Sequence, residues 1–247
     1  MSTKKSLLTY KAVQCQLFNQ QLTGSELCVP VGVTPSGLVD TVEFPKRKRG
    51  RRILISGITG SGQHNLVRFF IQSLIDMYDT NIHLGYLDAR DCEVRFWMKT
   101  DVHECRFPNA GTLASFGSIE ELLLLCNEYA KGADASAVNV LLIDYAYMHL
   151  TDNLLRRFNT LNNKGIHVVL ITQNPKAVVD TPLNLLETLD LLCTTRVGTD
   201  NSISMYGSRV ACGECLPPYG YMAYKYNGRF GVNAVPEMNM HDVYNLN

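Results

Sequence analysis

The turn Gly57-Ile58-Thr59-Gly60-Ser61-Gly62 has the glycine spacing of a loop that cradles phosphate, and Gln63 and His64 follow it directly. In the pattern G-x-x-x-x-G-K-[ST], backbone N–H groups and the N-terminus of the next helix converge on an anion. The lysine puts a charge on the β- and γ-phosphates, and the hydroxyl holds Mg²⁺. Gly57 and Gly62 meet that spacing, but Gln63 stands in the lysine's place and His64 in the hydroxyl's. Glutamine donates a hydrogen bond without charge, and imidazole is a poor partner for a hard, oxygen-seeking ion. A charged hydrogen bond is worth about 1.5–3 kcal/mol against about 1 for a neutral one. Phosphate binding is therefore expected to be weakened. Hydrolysis is expected to suffer more, because it depends on electrostatic stabilisation. A tight strand-to-helix turn that binds nothing is the plainer alternative, and it stays open.

Two further polar residues sit where ligands gather. Asp144 ends the run 138–143, apolar but for Asn139, and Gln173 follows the run 166–171, apolar but for His167, in the segment Thr172-Gln173-Asn174-Pro175. In a nucleoside-triphosphatase the first holds Mg²⁺ through water, and the second senses the γ-phosphate or positions the attacking water. For Asp144 a role as a turn or cap residue is the competing explanation.

The elements that must position these groups follow from periodicity. Ile53, Leu54 and Ile55 form a buried strand before the loop, and Leu66, Val67, Phe69, Phe70, Leu74 and Ile75 recur behind it at helical spacing. Residues 82–87 and 191–195 read as further strands, and 152–162 as a helix stopped at Gly165. Residues 118–130 read as a helix with Ser118 and Glu121 as a capping box. Residues 182–189 suggest a short helix. Residues 27–33 and 38–44 are strands joined by Thr34-Pro35-Ser36-Gly37, expected as a small N-terminal β appendage. Residues 219–226 alternate as a strand, and Asn227-Gly228 turns it into 229–232. Alternating strands and helices predict an α/β fold with a mainly parallel sheet covered on both faces. Segment 89–116, which holds Trp97, is expected to be irregular.

Composition narrows the class. The 247 residues carry 23 basic and 23 acidic side chains, so no global charge marks a protein that coats nucleic acid. No apolar run approaches the roughly 18–20 residues that span a bilayer, and the N-terminus lacks the pattern of a signal peptide. Eight scattered cysteines suggest reduced thiols in a cytosolic setting, not a disulfide framework. Cys212-Gly213-Glu214-Cys215 is at most half a zinc site, with no second CxxC to complete it; Cys92, His103 and Cys105 are no better. No metal site is predicted. The run from Lys46 to Arg52 places six positive charges in seven residues, suited to DNA or an anionic membrane, or simply to a solvated turn. Arg196 and Arg209 are candidates to reach a neighbouring subunit's nucleotide, or are ordinary surface residues.

Taken together, VPVGVTPSGLVDTVEF, ILISGITGSG, VLLIDY, VVLITQNP, DLLCTTRVGTDNSISMYGS and ECLPPYGYMAYKYNGR resemble the FtsK/SpoIIIE-like motor ATPases of the HerA–FtsK group. The resemblance covers roughly residues 27–235, with 1–26 as an irregular N-terminal segment and 236–247 as a C-terminal tail. It implies a RecA-like P-loop NTPase fold, ring or tandem assembly, and transport of DNA or protein. Gly57, Thr59, Gly60, Ser61, Gly62, Gln63 and His64 then correspond to the nucleotide-binding positions, and Asp144 and Gln173 to the catalytic ones. ATP and Mg²⁺ are the implied cofactors, bound weakly or not at all. Tyr145 stands where the family has its catalytic glutamate. Losing lysine, hydroxyl and glutamate together is similar to the degenerate domains of EssC/EccC ATPases in type VII secretion. The implied role is assembly, regulation or substrate docking in such a machine, as a cytoplasmic module of a membrane-anchored complex. Its partners are other ATPase domains, with a secreted protein as a possible substrate. An active DNA-translocating motor and a structural peptide-binding module are the alternatives.

Overall fold

A computed structural model describes residues 8–18, 27–44, 49–78, 81–87, 117–133, 136–181 and 185–238. Nine strands form one sheet: β1 (Cys28–Val33), β2 (Val39–Glu43), β3 (Arg52–Ser56), β4 (Ile82–Leu87), β5 (Val138–Asp144), β6 (His167–Thr172), β7 (Leu191–Thr194), β8 (Tyr221–Tyr226) and β9 (Arg229–Ala234). Their order is β2-β1-β9-β8-β7-β3-β6-β5-β4. The five strands from β7 to β4 are parallel, and the other four join antiparallel. The β1–β2 hairpin attaches to this sheet through the single pair Val33–Ala234. The predicted appendage is thus an antiparallel extension of the main sheet.

The parallel strands are apolar along most of their length because both of their faces are covered. Ile53, Ile55, Val140, Leu142, Val169 and Ile171 pack into one core, and Leu54, Leu141, Ile143, Val168 and Leu170 into the other. This two-sided burial turns an alternating strand pattern into an unbroken run. Helices α1 (Tyr10–Phe18) and α2 (Gln63–Tyr78) cover the first face. Helices α3 (Ile119–Gly132), α4 (Asp152–Asn163), α5 (Pro175–Val179) and α6 (Thr199–Tyr206) supply the second. Phe69 and Phe70 on α2 are almost wholly buried, each contributing roughly 1.5–3 kcal/mol. Ser118 caps α3 by accepting from Glu121 N at 3.2 Å, as its motif predicts. Asn227 and Gly228 both have positive φ, as a tight hairpin turn requires.

One expectation needs correction. Within the segment 1–26, Tyr10–Phe18 is a helix with Tyr10, Val13 and Leu17 buried. Tyr10 Oη donates to Asp76 Oδ2 at 2.6 Å, and Leu8 and Tyr10 bond through their backbones to Glu237. Residues 8–10 and Glu237 therefore close on each other beside α2, where an irregular segment and a tail are predicted. Residues 182–184, Trp97, Cys92, His103 and Cys105 lie outside the described residues, and Leu185–Thr188 is a 3₁₀ turn.

The basic run changes meaning on folding. Lys46, Arg47 and Lys48 lie outside the described residues, but Arg51 and Arg52 are only 6% and 7% exposed. Arg51 pairs with Asp190 at 3.0 Å, and Arg52 Nε donates to Asn162 Oδ1 at 2.8 Å. The same corner holds His167, whose Nδ1 accepts from Arg51 N at 3.0 Å. Burial, helped by the Arg51 charge and opposed by Asp190, lowers the imidazole from 6.5 to about 4. The unfolded chain thus binds one more proton than the folded one between these values. Above pH 6.5 this group costs nothing; as pH falls towards 4 the fold loses about 2–3 kcal/mol to it. Replacing His167 with Asn, which keeps an acceptor but does not titrate, should flatten that part of the stability curve. Urea unfolding of both proteins at pH 7 and 4.5 measures it, and equal losses would show that His167 is not the source.

Candidate functional site

Strands β3, β6 and β5 are parallel neighbours, so their C-terminal ends open on one edge of the sheet. Each delivers one part of the predicted constellation: the glycine loop after β3, Gln173 after β6 and Asp144 at the end of β5. Sheet order makes these three sequence-distant segments adjacent.

The loop is held from behind. Gly57 N donates to Thr172 O at 3.3 Å and Ile58 N to Arg196 O at 3.2 Å. Ser61 Oγ donates to Ile58 O at 2.6 Å and shares a 2.6 Å hydrogen bond with Thr195 Oγ1. Close approach explains Gly57: a Cβ there would lie 1.9 Å from Thr195 Oγ1. Gly60 and Gly62 have φ of +77° and +88°, a conformation that side chains disfavour. The first turn of α2 leaves amide hydrogens without intrahelical acceptors, facing outward from this curl. Ile58, Gly60, Gly62, Gln63, His64, Asn65, Gln173 and Tyr219 line a cleft of about 300 Å³ over it. Thr59 sits exposed on the loop's rim.

Gln63 does not take the lysine's path. Its side chain is 3% exposed and turns inward, with Nε2 donating to Thr172 O at 2.5 Å and Ile55 O at 3.3 Å. Its Oε1 is buried without a hydrogen-bond partner. The side chain at this position ties β3 to β6 and brings no donor to the cleft.

The other positions are linked to one another. Tyr145 Oη donates to Gln173 Oε1 at 2.8 Å, and Gln173 Nε2 lies 3.4 Å from His64 Nε2. With Oε1 already accepting, the amide nitrogen is the group Gln173 turns toward His64. Asp144 is fully buried, and its Oδ1 accepts from Tyr145 N at 2.9 Å. Tyr145 holds φ +54° in the left-handed region, a strained setting for a bulky residue. The phenol of Tyr145 thus spans from the end of β5 to Gln173, the residue predicted to sense the γ-phosphate.

As a test of fit, the curled loop and the start of α2 suit a nucleotide's phosphates. Mg²⁺ fits poorly, because position 64 is imidazole and Asp144 is enclosed and engaged by the Tyr145 amide. Among the described residues no group of three His, Cys, Asp or Glu side chains is placed to hold a metal ion.

Sequence reasoning missed the parts that three residues play. Thr195 braces the loop from the end of β7, and only the pairing of β7 with β3 brings it there. Tyr145 is visible in the sequence only as an absence of glutamate. Tyr219, the first residue of the predicted strand 219–226, precedes β8 and is 68% exposed at the cleft's mouth. A second cavity of about 730 Å³ adjoins it, sharing Gly62, Asn65 and Tyr219 and lined by the apolar Leu8, Pro217 and Val235. Arg209 pairs with Glu214, and the Arg196 side chain lies beside Gly213.

No family model matches the sequence, and no curated protein matches it. Solved structures do. EssC (ATPases 2 and 3) from Geobacillus thermodenitrificans superposes with a TM-score of 0.60 at 10% identity, over 97% of this chain and 49% of that one. The fold is that of the P-loop ATPases. The cytoplasmic domain of the type VII secretion ATPase EccC from Thermomonospora curvata matches with a TM-score of 0.56 at 14% identity, over 94% of this chain and 32% of that one. The genome packaging NTPase B204 from Sulfolobus turreted icosahedral virus 2, in complex with ATP-gammaS, matches with 0.55 at 17% identity, over 76% and 98%. This chain therefore spans about a third to a half of the secretion ATPases it matches. Among its described residues no helix is long and apolar enough to cross a membrane.

Proposed function

We propose that this P-loop domain is a degenerate FtsK/SpoIIIE-like module that binds nucleotide weakly and hydrolyses it slowly or not at all. The observation that carries the reading is the inward turn of Gln63, whose amide is hydrogen-bonded to Thr172 O and Ile55 O. A side chain used to hold two strands together does not reach a γ-phosphate. The Tyr145–Gln173–His64 chain supports the same reading, since it engages the sensor position and puts a phenol where a carboxylate would act.

The role is in assembly, regulation or substrate docking of a type VII-like secretion machine, at its cytoplasmic side and beside other ATPase domains. The similarity to EssC and EccC, which contain several such domains, supports this. The adjoining apolar cavity suits the base of a nucleotide whose phosphates face Gly60 and Gly62. A DNA-translocating role draws less support, because Arg51 and Arg52 are used internally.

Calorimetric titration with ATP, with and without Mg²⁺, tests the reading. The expected dissociation constant is on the order of 0.1–1 mM, about −4 to −5.5 kcal/mol, with little gain from Mg²⁺. Turnover is expected far below the roughly 1–10³ s⁻¹ of ordinary enzymes. Submicromolar binding with several turnovers per second would overturn it.

A further inference from the structure

The Cys212-Gly213-Glu214-Cys215 segment lies between α6 and β8. Cys215 N donates to Cys212 O at 3.1 Å, and Leu216 N donates to the same oxygen at 2.8 Å. A four-residue turn closed in this way brings its end Cα atoms within about 7 Å. Disulfides span Cα separations of about 4.4–6.8 Å, so the backbone already holds the two residues at bridging range. Cys212 N donates to Arg209 O at 3.0 Å, so Arg209, Cys212 and Cys215 lie in one tightly turned stretch of chain. Cys215 is exposed, whereas Cys212 is buried beneath it.

We propose that Cys212 and Cys215 are a redox-active dithiol that closes reversibly to a disulfide in exchange with small-molecule disulfides such as oxidised glutathione. Exposed Cys215 attacks one sulfur of the small disulfide as its thiolate, forming a mixed disulfide and expelling one small thiolate. The Cys212 thiolate then attacks the Cys215 sulfur, breaks the mixed disulfide and expels the second small thiolate. Two protein thiols lose two electrons, the small disulfide gains them, and the two protons end on the released thiols.

The surroundings favour this pair over the other cysteines. Burial alone would raise the Cys212 thiol, but hydrogen bonds from the Glu214 and Cys215 amides, the Cys215 thiol and Arg209 outweigh it and hold Cys212 below its ordinary value. Burial pushes the Cys126 thiol up to about 12 and raises Cys28 and Cys193 as well. The Cys212 sulfur in turn raises the Cys215 thiol, with burial adding to it, so what marks Cys215 is its exposure, and the favoured Cys212 thiolate is the one that resolves the mixed disulfide.

The pair is also wired to the glycine loop. Val197 N donates to Ala211 O at 2.8 Å, and Val197 forms a bridge with Cys212. The preceding residue, Arg196, accepts from Ile58 N in the loop and packs against Gly213. Closing the disulfide tightens the turn and loads the Arg196–Val197 segment that holds Ile58. The thiol chemistry itself does not depend on nucleotide binding.

The test equilibrates the intact protein in glutathione buffers from fully reduced to fully oxidised, followed by acid quenching, alkylation and peptide mass mapping. The expected product is a peptide joining Cys212 to Cys215, lighter by about two mass units than the dithiol and restored by dithiothreitol. Cys215→Ser should abolish it, and Cys15 provides the benchmark for an ordinary exposed thiol. Both cysteines remaining alkylatable, or only a stable glutathione adduct on Cys215, would overturn the proposal. Hydrogen exchange at residues 58–61 in the two states reads the connection to the loop. A disulfide that forms without altering exchange there would disprove that connection.

Discussion

Replacing Gln63 with Lys and His64 with Ser should raise ATP affinity about tenfold while making the nucleotide-free protein less stable. The gain follows from exchanging a neutral side chain for a charged donor to phosphate, worth about 1–2 kcal/mol net. The loss follows from the present use of Gln63. Its amide bonds Thr172 O and Ile55 O in a fully enclosed setting, and a lysine there must leave that setting or bury its charge. Leaving uncouples β3 from β6 at their ends and removes buried hydrogen bonds at about 1–3 kcal/mol. Two readouts therefore move in opposite directions: a lower unfolding midpoint without nucleotide, and a larger upward shift when ATP is added. Hydrolysis should stay slow, because Tyr145 still holds Gln173. Unchanged affinity in a folded double variant would show that the cleft is not a phosphate site, which favours the structural peptide-binding alternative. A restored turnover would show that Tyr145 is no obstacle.

Replacing Asn162 with Ala should cost about 3–5 kcal/mol, among the largest effects available outside the apolar core. Asn162 is wholly buried on α4, and its side chain serves three partners. Nδ2 donates to Arg51 O at 3.2 Å and Ile166 O at 3.0 Å, while Oδ1 accepts from Arg52 Nε at 2.8 Å. Removing it strands two buried carbonyls and loosens a buried guanidinium whose ordinary value is already lowered by that burial. Asn162→Asp separates these contributions, since it keeps an acceptor for Arg52 and loses both donors. Denaturant unfolding of the three proteins should place the wild type highest, the Asn162→Asp variant next and the Asn162→Ala variant lowest. A loss below about 1 kcal/mol in the alanine variant would mean that water enters the corner and replaces the missing amide.

These two sites show the same thing from opposite directions. The sequence around Gln63 has the glycine spacing of a phosphate loop with glutamine in the lysine's place, and that much is legible from spacing alone. What replaced the lysine's function was not visible, because Thr172 lies more than a hundred residues away and becomes a neighbour only through the parallel pairing of β3 with β6. At the corner that Asn162 joins, the sequence shows only the positive run 46–52, which in isolation suggests a polyanion partner. Folding pairs Arg51 with Asp190 and Arg52 with Asn162, so part of that charge serves the strand's own entry into the sheet.

What the residues determine by themselves is whatever depends on near neighbours. Apolar runs at 53–55, 138–143 and 166–171 specify strands buried on both faces, the 3.6-residue period behind Gly62 specifies α2, and Ser118 with Glu121 specifies the start of α3. Spacing likewise identifies the loop, and the order of loop, Asp144 and Gln173 identifies the edge on which they meet. Tertiary structure alone decided the rest: that residues 10–18 form a helix docked by Asp76, that Thr195 braces Ser61, and that Tyr145 bonds Gln173. Each of these depends on contacts across tens to more than a hundred positions. Local periodicity carries no information about such contacts, because they follow from which strands pair and which helix faces are left to cover them.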